Sequence, residues 1–287
     1  MEQMCTLLLP DGTLVPRIGQ GTWQMGELPE KRSEELESLR WGIAHGMNLL
    51  DTAEMYGDGR SEQLVGEAIR GFDREQLFLV SKVCPQNAYG SKIIASCENS
   101  LRRLGTDYLD LYLLHWPSAA VPYADTVAAM EQLVRSGKIR RWGVSNFEVA
   151  DMEALMALPG GEHCAVNQVM YHLGSRGVEF DLLPWLQAHH IPLMAYCPIA
   201  QAGALRGELL ASTEVQQVAA AHGITPVQVL LAFLMAQPGV LAIPKAGSLR
   251  HVQANRAAAD VVLTNAELAL LRGRFPAPDH WTELDML

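Results

Sequence analysis

Charge is scarce in this sequence. Only 19% of its 287 residues are Asp, Glu, Lys or Arg, against about 25% in an average soluble domain. Hydrophobic residues make up 49%, so the chain can fill a large core and does not read as disordered. Positive charge is the scarcer sign: 22 Lys and Arg stand against 32 Asp and Glu, a formal net charge of −10. That balance argues against a nucleic-acid binder or a protein that coats an anionic membrane. A small anionic ligand is still allowed, because it needs only a local cation. Long apolar runs are missing as well. The longest, Val229 to Ala236, falls far short of the roughly 20 residues that cross a bilayer. The opening MEQMCTLLLPDG has neither the basic region nor the apolar length of a secretory leader. The five cysteines, Cys5, Cys84, Cys97, Cys164 and Cys197, are scattered, with no CxxC pair and no zinc spacing. The expectation is a cytoplasmic protein with reduced, mostly buried thiols and no metal.

Several chemical templates are also lacking. There is no G-x-x-x-x-G-K-[ST], no G-x-S-x-G and no H-E-x-x-H. Gly19-Gln20-Gly21 begins like a dinucleotide fingerprint, but the next glycine, Gly26, is out of register. A dinucleotide held by this chain is therefore not held in the Rossmann manner.

What is present is alternation. Eight short β-like runs stand at Ile18–Gly21, Asn48–Asp51, Leu77–Lys82, Leu109–His115, Ile139–Ser145, Cys164–Met170, Pro192–Tyr196 and Val240–Pro244. Several are apolar almost throughout, as strands covered on both faces must be. A helical stretch follows each one: 32–45, 61–70, 91–104, 124–136, 148–157, 180–190, 225–236 and 249–258. Thr225-Pro226 reads as an N-cap with proline in the first helical position. Eight β-then-α units predict an α/β fold, a (β/α)8 TIM barrel, as one domain over residues 1–287. A doubly wound sheet alternates in the same way, and periodicity alone does not separate the two. Ahead of the units, 5–9 and 13–15 flank Pro10-Asp11-Gly12 and predict a β-hairpin that can plug the barrel floor. Two extra helices, Glu208–His222 and Ala266–Arg272, take up more of the surplus length.

In a barrel, the C-terminal strand ends surround one mouth. The polar residues there are Asp51, Lys82, His115, Ser145 with Asn146, Gln168, Tyr196 and Lys245, with Tyr56 in the loop after the second strand. Each has an ordinary reading taken singly: Asp51 as a helix cap, Lys82 as a surface lysine, His115 as a core histidine. Together they have a chemical logic. A phenol near pKa 10 is a poor proton donor at neutral pH. A nearby ammonium favours phenolate and lowers that pKa, and Lys82 can supply the charge while Asp51 keeps it protonated. A neutral His115 can orient a carbonyl oxygen. Such a group suits carbonyl reduction, which also needs a hydride from a nicotinamide or flavin, since side chains donate none.

The segments GQGTW (19–23), LLDTAEMYG (49–57), LVSKV (79–83), LDLYLLHWP (109–117), GVSNF (143–147), NQVMYH (167–172), AYCPIA (195–200) and IPKAGS (243–248) resemble the aldo-keto reductase signature set, in order and in spacing. The likeness is nearest to short bacterial members that reduce methylglyoxal. It implies a (β/α)8 barrel that uses NADPH ahead of NADH. It further implies a catalytic tetrad of Asp51, Tyr56, Lys82 and His115, with Tyr56 as general acid. Ser145, Asn146 and Gln168 match the positions that hold the nicotinamide carboxamide, and Tyr196 the aromatic that stacks on its ring. The stretch 199–206, beginning at Ile199, matches the segment over the pyrophosphate. Lys245, Ser248, His251 and Asn255 match the adenosine-phosphate end.

Two departures weaken the phosphate patch. Ala246 stands where serine is frequent, and His251, beside Arg250, where arginine is frequent. Arginine offers a permanent charge and a planar fork, which histidine lacks. Trp23, Met25, Met55 and Trp116 are the candidate apolar wall for the substrate, while Trp142 reads as core. His163, His189, His190 and His222 read as surface histidines. The loop after His115 and the tail after Arg274 are short, which predicts a shallow, open site for small aldehydes and 2-oxoaldehydes. A monomer is expected, with a small carbonyl compound as its partner. The competing reading is a cofactor-binding regulatory barrel without significant turnover.

Overall fold

The computed structural model describes residues 6–286. Within them, eight parallel strands follow one another in sheet order exactly as in sequence: β3 (Gln20–Gly21), β4 (Leu49–Asp51), β5 (Phe78–Val83), β6 (Leu111–Leu114), β7 (Trp142–Ser145), β8 (Cys164–Met170), β9 (Leu193–Tyr196) and β10 (Val240–Ala242). Parallel bridges Ile18↔Ala242 and Gly21↔Lys245 join the last strand to the first. The amide of Gly19 donates to Ala242 O at 2.8 Å and that of Gly21 to Pro244 O at 3.1 Å. The sheet therefore closes into a barrel, which settles the choice against the doubly wound alternative. The paired cores of β3, β6, β7 and β10 are shorter than their apolar runs, with Ile18, Leu109 and Ile139 joining only through single bridges.

Closure sets a steric demand at Gly21. A Cβ there would lie 2.6 Å from the Ile243 carbonyl oxygen, so the residue must be glycine for first and last strands to approach.

Period-two alternation divides the strand residues between two cores. Leu49, Phe78, Val80, Leu111, Leu113, Val166, Met194, Leu241 and Ile243 form the packed interior of the barrel. Their neighbours face outward into a larger layer shared with the helices. Two residues beyond the inner set come Asp51, Lys82, His115, Gln168, Tyr196 and Lys245. The parity that fills the barrel thus aims these six at its mouth.

The hairpin is present as β1 (Thr6–Leu8) and β2 (Leu14–Pro16), paired antiparallel. Cys5, its expected first residue, lies outside the described residues. Leu9 and Val15 are buried in the inner core, so the hairpin does close the floor. Arg141, just before β7, fastens the turn through Asp11 at 2.6 Å.

Eight helices follow the strands: α1 (Arg32–Ala44), α2 (Arg60–Ala68), α3 (Gly90–Leu104), α4 (Tyr123–Arg135), α5 (Val149–Met156), α6 (Leu182–Ala188), α9 (Pro226–Met235) and α10 (Leu249–Ala258). Thr225 caps α9 with a capping box to Gln228. The single helix expected over Glu208–His222 is two: α7 (Ala204–Ala211) and α8 (Thr213–His222). Ser212 breaks it, with an extended backbone (φ −62°, ψ 138°) and a side chain that accepts from the Val215 amide. Its hydroxyl serves the backbone as a cap, which a mid-helix serine would not do. With α11 (Asn265–Arg274) the extra helices number three rather than two.

Gly21→Ala should destabilise the protein by about 3 kcal/mol, since neither backbone can yield without opening the barrel. Urea unfolding of the variant measures the loss; an unchanged midpoint would show that the seam is adaptable.

Candidate active site

Lys82 is the centre of the site. Its side chain is fully buried, and Nζ has three hydrogen-bond acceptors: Asp51 Oδ1 at 2.6 Å, Thr52 O at 2.9 Å and Tyr56 OH at 3.2 Å. The other oxygen of Asp51 accepts from Gln168 Nε2 at 2.8 Å. Strands β4, β5 and β8 therefore meet in one buried polar cluster. Tyr56 comes to it from the loop after β4, where Gly57, Asp58 and Gly59 all take positive φ (55°, 54° and 85°). Across the mouth, the His115 ring meets Tyr56 edge-on at 5.8 Å and stacks on Trp116 at 3.8 Å.

Burial and charge compete at each of these groups. Burial lowers the Lys82 pKa, but Asp51 and Tyr56 outweigh it and hold the amine above its ordinary value. For Tyr56, burial raises the pKa, and the opposing effect of Lys82 does not overcome it. The expected lowering of the phenol is thus corrected: desolvation of the phenolate wins, and the hydroxyl keeps its proton. Burial, with the Lys82 charge added, pushes His115 down to about 2. Its ring is neutral at physiological pH, and Nδ1 is buried without a hydrogen-bond partner among the described residues.

The mouth opens into a cleft of about 630 Å³ lined by Trp23, Met55, Tyr56, His115, Trp116, Ser145, Asn146, Gln168, Tyr196, Ile199 and Lys245, among others. Asn146 (φ 61°) bonds to His115 O at 3.2 Å and accepts from Tyr196 OH at 2.9 Å. Ser145 Oγ donates to Gln168 O at 2.7 Å. Three of the expected wall residues, Trp23, Met55 and Trp116, do line the cleft. Met25 does not. Positive φ at Gln24 (59°) and Gly26 (77°) turns the chain, and Met25 is wholly buried in the outer core. Ser248, His251 and Asn255 also lie outside the cleft lining. Ser248 and His251 stand at the start of α10, with Ser248 Oγ and His251 Nδ1 3.0 Å apart, and Asn255 is buried further along the helix.

Thr22 and Gln24, not singled out from the sequence, also line the cleft, and so do Gln201 and Arg206 of the stretch 199–206. Arg206 and Lys245 form no ion pair among the described residues. Their signal is positional, a cation in each of the segments that follow β9 and β10, Arg206 in the first turn of α7 and Lys245 in the loop after β10. Non-glycine residues with positive φ also gather here, at Gln24, Asp58, Asn146, Cys197 and Ala200, as strain tends to gather at functional sites. Burial pushes the Cys197 thiol up to about 11, which makes it no nucleophile. A second cleft of about 530 Å³ lies among Arg32, Arg70, Arg74, Arg102 and Arg103. Three of these are paired, with Glu67, Asp110 and Glu62, and it holds none of the mouth residues. Among the described residues no group of three or more His, Cys, Asp or Glu is placed to hold a metal.

The arrangement belongs to the class of barrel enzymes that work at the C-terminal strand ends. Residues 17–273 match the family model described as the aldo/keto reductase family. The chain is 58% identical to methylglyoxal reductase YeaE of Escherichia coli (strain K12), over 95% of each chain. It is 33% identical to methylglyoxal reductase DkgB of Salmonella typhi, over 87% of this chain and 89% of that one. Among solved structures, an aldo/keto reductase from Klebsiella pneumoniae in complex with NADP and acetate superposes with a TM-score of 0.96 at 54% identity. It covers 99% of this chain and 100% of its own. An aldo-keto reductase from the same organism in complex with NADPH gives 0.95 with the same identity and coverage. The chain belongs to the aldo/keto reductase family.

The depressed value at His115 has a sign that can be checked. Unfolded, the ring takes a proton near pH 6.5; folded, it resists down to about 2. The unfolded state binds more protons between those limits, so this group withdraws stability as pH falls through that window. Nitrogen-15 NMR should find the His115 ring neutral from about pH 5 to pH 8. A midpoint near 6.5 in the folded protein would show that water reaches the ring.

Proposed function

We propose that the protein reduces small aldehydes and 2-oxoaldehydes of the methylglyoxal type to alcohols, with NADPH as hydride donor and Tyr56 as general acid. The observation that carries this reading is the protonated phenol 3.2 Å from a buried ammonium that is itself paired with Asp51 at 2.6 Å. The tetrad of Asp51, Tyr56, Lys82 and His115 follows from it. The names of YeaE and DkgB support the substrate class, and the Klebsiella complexes support the cofactor.

The residues present fit a dinucleotide phosphate. Lys245 and Arg206 place two cations in the cleft with no ion-pair partner among the described residues, Arg206 in the first turn of α7 and Lys245 in the loop after β10. Gln168, whose Nε2 is committed to Asp51, keeps its amide oxygen for a carboxamide, with Ser145 and Asn146 beside it. Tyr196 supplies a flat aromatic surface for the nicotinamide ring, Ile199 begins the segment over the pyrophosphate, and Lys245, with Ser248, His251 and Asn255 on its α10 side, holds the adenosine phosphate. When bound, NADPH supplies the hydride to the carbonyl carbon.

Everything else falls to the protein. Trp23, Met55 and Trp116 hold the organic part of a small substrate against the mouth. Neutral His115 donates a hydrogen bond to the carbonyl oxygen and orients it. Tyr56 gives its proton to that oxygen as negative charge develops there. Lys82 meets the phenolate left behind, and its attraction grows only as that charge appears, the condition for catalysis rather than mere binding. Asp51 keeps Lys82 charged throughout. A regulatory barrel without turnover has no use for this cluster, since a buried ion pair is seldom favourable for stability alone.

Purified protein should oxidise NADPH when methylglyoxal is added, and bulky steroids should not be reduced faster. Tyr56→Phe should bind NADPH as before and lose about 10²- to 10⁴-fold in kcat; turnover retained in that variant removes Tyr56 from the role. Direct titration should find NADPH bound about tenfold more tightly than NADH, about 1.4 kcal/mol from the few cations at the phosphate end. Equal dissociation constants would refute that preference.

A further inference from the structure

The loop that carries Tyr56 has little regular structure to hold it. Its local bonds are short-range turns: Tyr56 N to Ala53 O at 3.1 Å, Asp58 N to Met55 O at 3.2 Å, and the Arg60 amide to the carbonyls of Tyr56 and Gly57. The three residues after Tyr56 are left-handed. Glu54 ties the loop to β5 and the residues after it, through its amide on Lys82 O at 3.3 Å and its carboxylate, which accepts from the Cys84 amide at 2.8 Å; a chain of buried hydroxyls ties it to the ends of β3 and β4. Thr52 Oγ1 donates to Ser61 Oγ at 3.2 Å. Ser61 Oγ lies 2.7 Å from Thr22 Oγ1 and 3.0 Å from Thr22 O. Thr22 Oγ1 lies 2.9 Å from Asp51 O. A hydroxyl has one proton, and here each is accounted for in one direction: Thr52 to Ser61, Ser61 to Thr22, Thr22 to the main chain of Asp51. All three side chains are buried.

The chain ties together the points that define where the phenol stands. Thr52 and Ser61 are the two ends of the Tyr56 loop. Thr22 follows β3 and Asp51 ends β4. The carbonyl of Thr52 is also an acceptor for Lys82 Nζ. Ser61 lies in the first turn of α2, yet its side chain caps no helix end; its hydrogen bonds all go to tertiary partners. We propose that Ser61 is a positioning residue for the reaction: its hydroxyl closes the Tyr56 loop onto the ends of β3 and β4 and so sets the phenol against the Lys82 ammonium. The proposal rests on the reading of Tyr56 as the proton donor. A purely structural Ser61 would cost stability and leave the chemistry alone; a positioning Ser61 acts on kcat, because small displacements of a reacting group are costly in rate.

The test uses the full-length protein with Ser61→Ala, Thr52→Val, which deletes a hydroxyl at equal volume, and Thr52→Ser, which keeps it. Ser61→Ala should lower kcat for methylglyoxal by about tenfold or more, with the NADPH dissociation constant within about twofold. The pH profile of kcat should shift on its alkaline side. Thr52→Val should follow in the same direction, and Thr52→Ser should retain most of the activity. A crystal structure of Ser61→Ala should show Tyr56 OH beyond hydrogen-bond reach of Lys82 Nζ. Unchanged kcat and pH profile with only a lower melting temperature would overturn the proposal, as would an undisplaced Tyr56 in the crystal. If Ser61→Ala does not fold, Thr52→Val carries the same readouts. If the wild-type protein itself lacks turnover, the proposed function fails, and the position of Tyr56 in the variant crystal decides this inference separately.

Discussion

Lys82 has three protons to place and no water in which to place them. Moving an ammonium and a carboxylate out of water costs several kcal/mol each, and the attraction between them offsets this only where the remaining donors and acceptors are also met. Here they are. One proton goes to Asp51, one to the carbonyl of Thr52 and one to the Tyr56 hydroxyl, while Gln168 takes the second oxygen of Asp51. The phenol is therefore an obligatory member of the cluster. Its position follows from satisfying a buried cation, and the loop that presents it has to end where that cation is.

The rest of the site inherits its electrostatics from the same pair. Burial sets the low pKa of His115 and the Lys82 charge adds to it, so the ring across the mouth stays a neutral donor. Burial then holds the Tyr56 proton in place even beside a positive charge. An acid that keeps its proton until a neighbouring oxygen becomes basic is better suited to this chemistry than one already ionised. The expectation from residue types alone ran the other way, because proximity to Lys82 is visible in the alternation pattern and the depth of Tyr56 is not.

The barrel itself was legible because strand parity is written in the residues. Leu49 and Asp51, or Phe78, Val80 and Lys82, alternate with outward neighbours, and the irregularity where β7 pairs with β8, between Trp142 and Val144, leaves Ser145 and Gln168 still side by side at the mouth. Errors arose where a local conformation overrides pattern. Ser212 lies within a run that reads as one helix, and its role as a cap depends on an extended backbone. Met25 lies among mouth residues in sequence, but left-handed geometry at Gln24 and Gly26 turns it inward. Arg206 belongs to a segment assigned as a whole to the pyrophosphate; its own place in the cleft depends on the path of the chain between β9 and α7.

The hairpin has a consequence beyond stability. With Leu9 and Val15 packed into the inner core beneath the strands, the barrel is filled from its floor to the mouth, and ligands meet it at the C-terminal strand ends. Any two ligands that meet at Tyr56 come and go through the same opening.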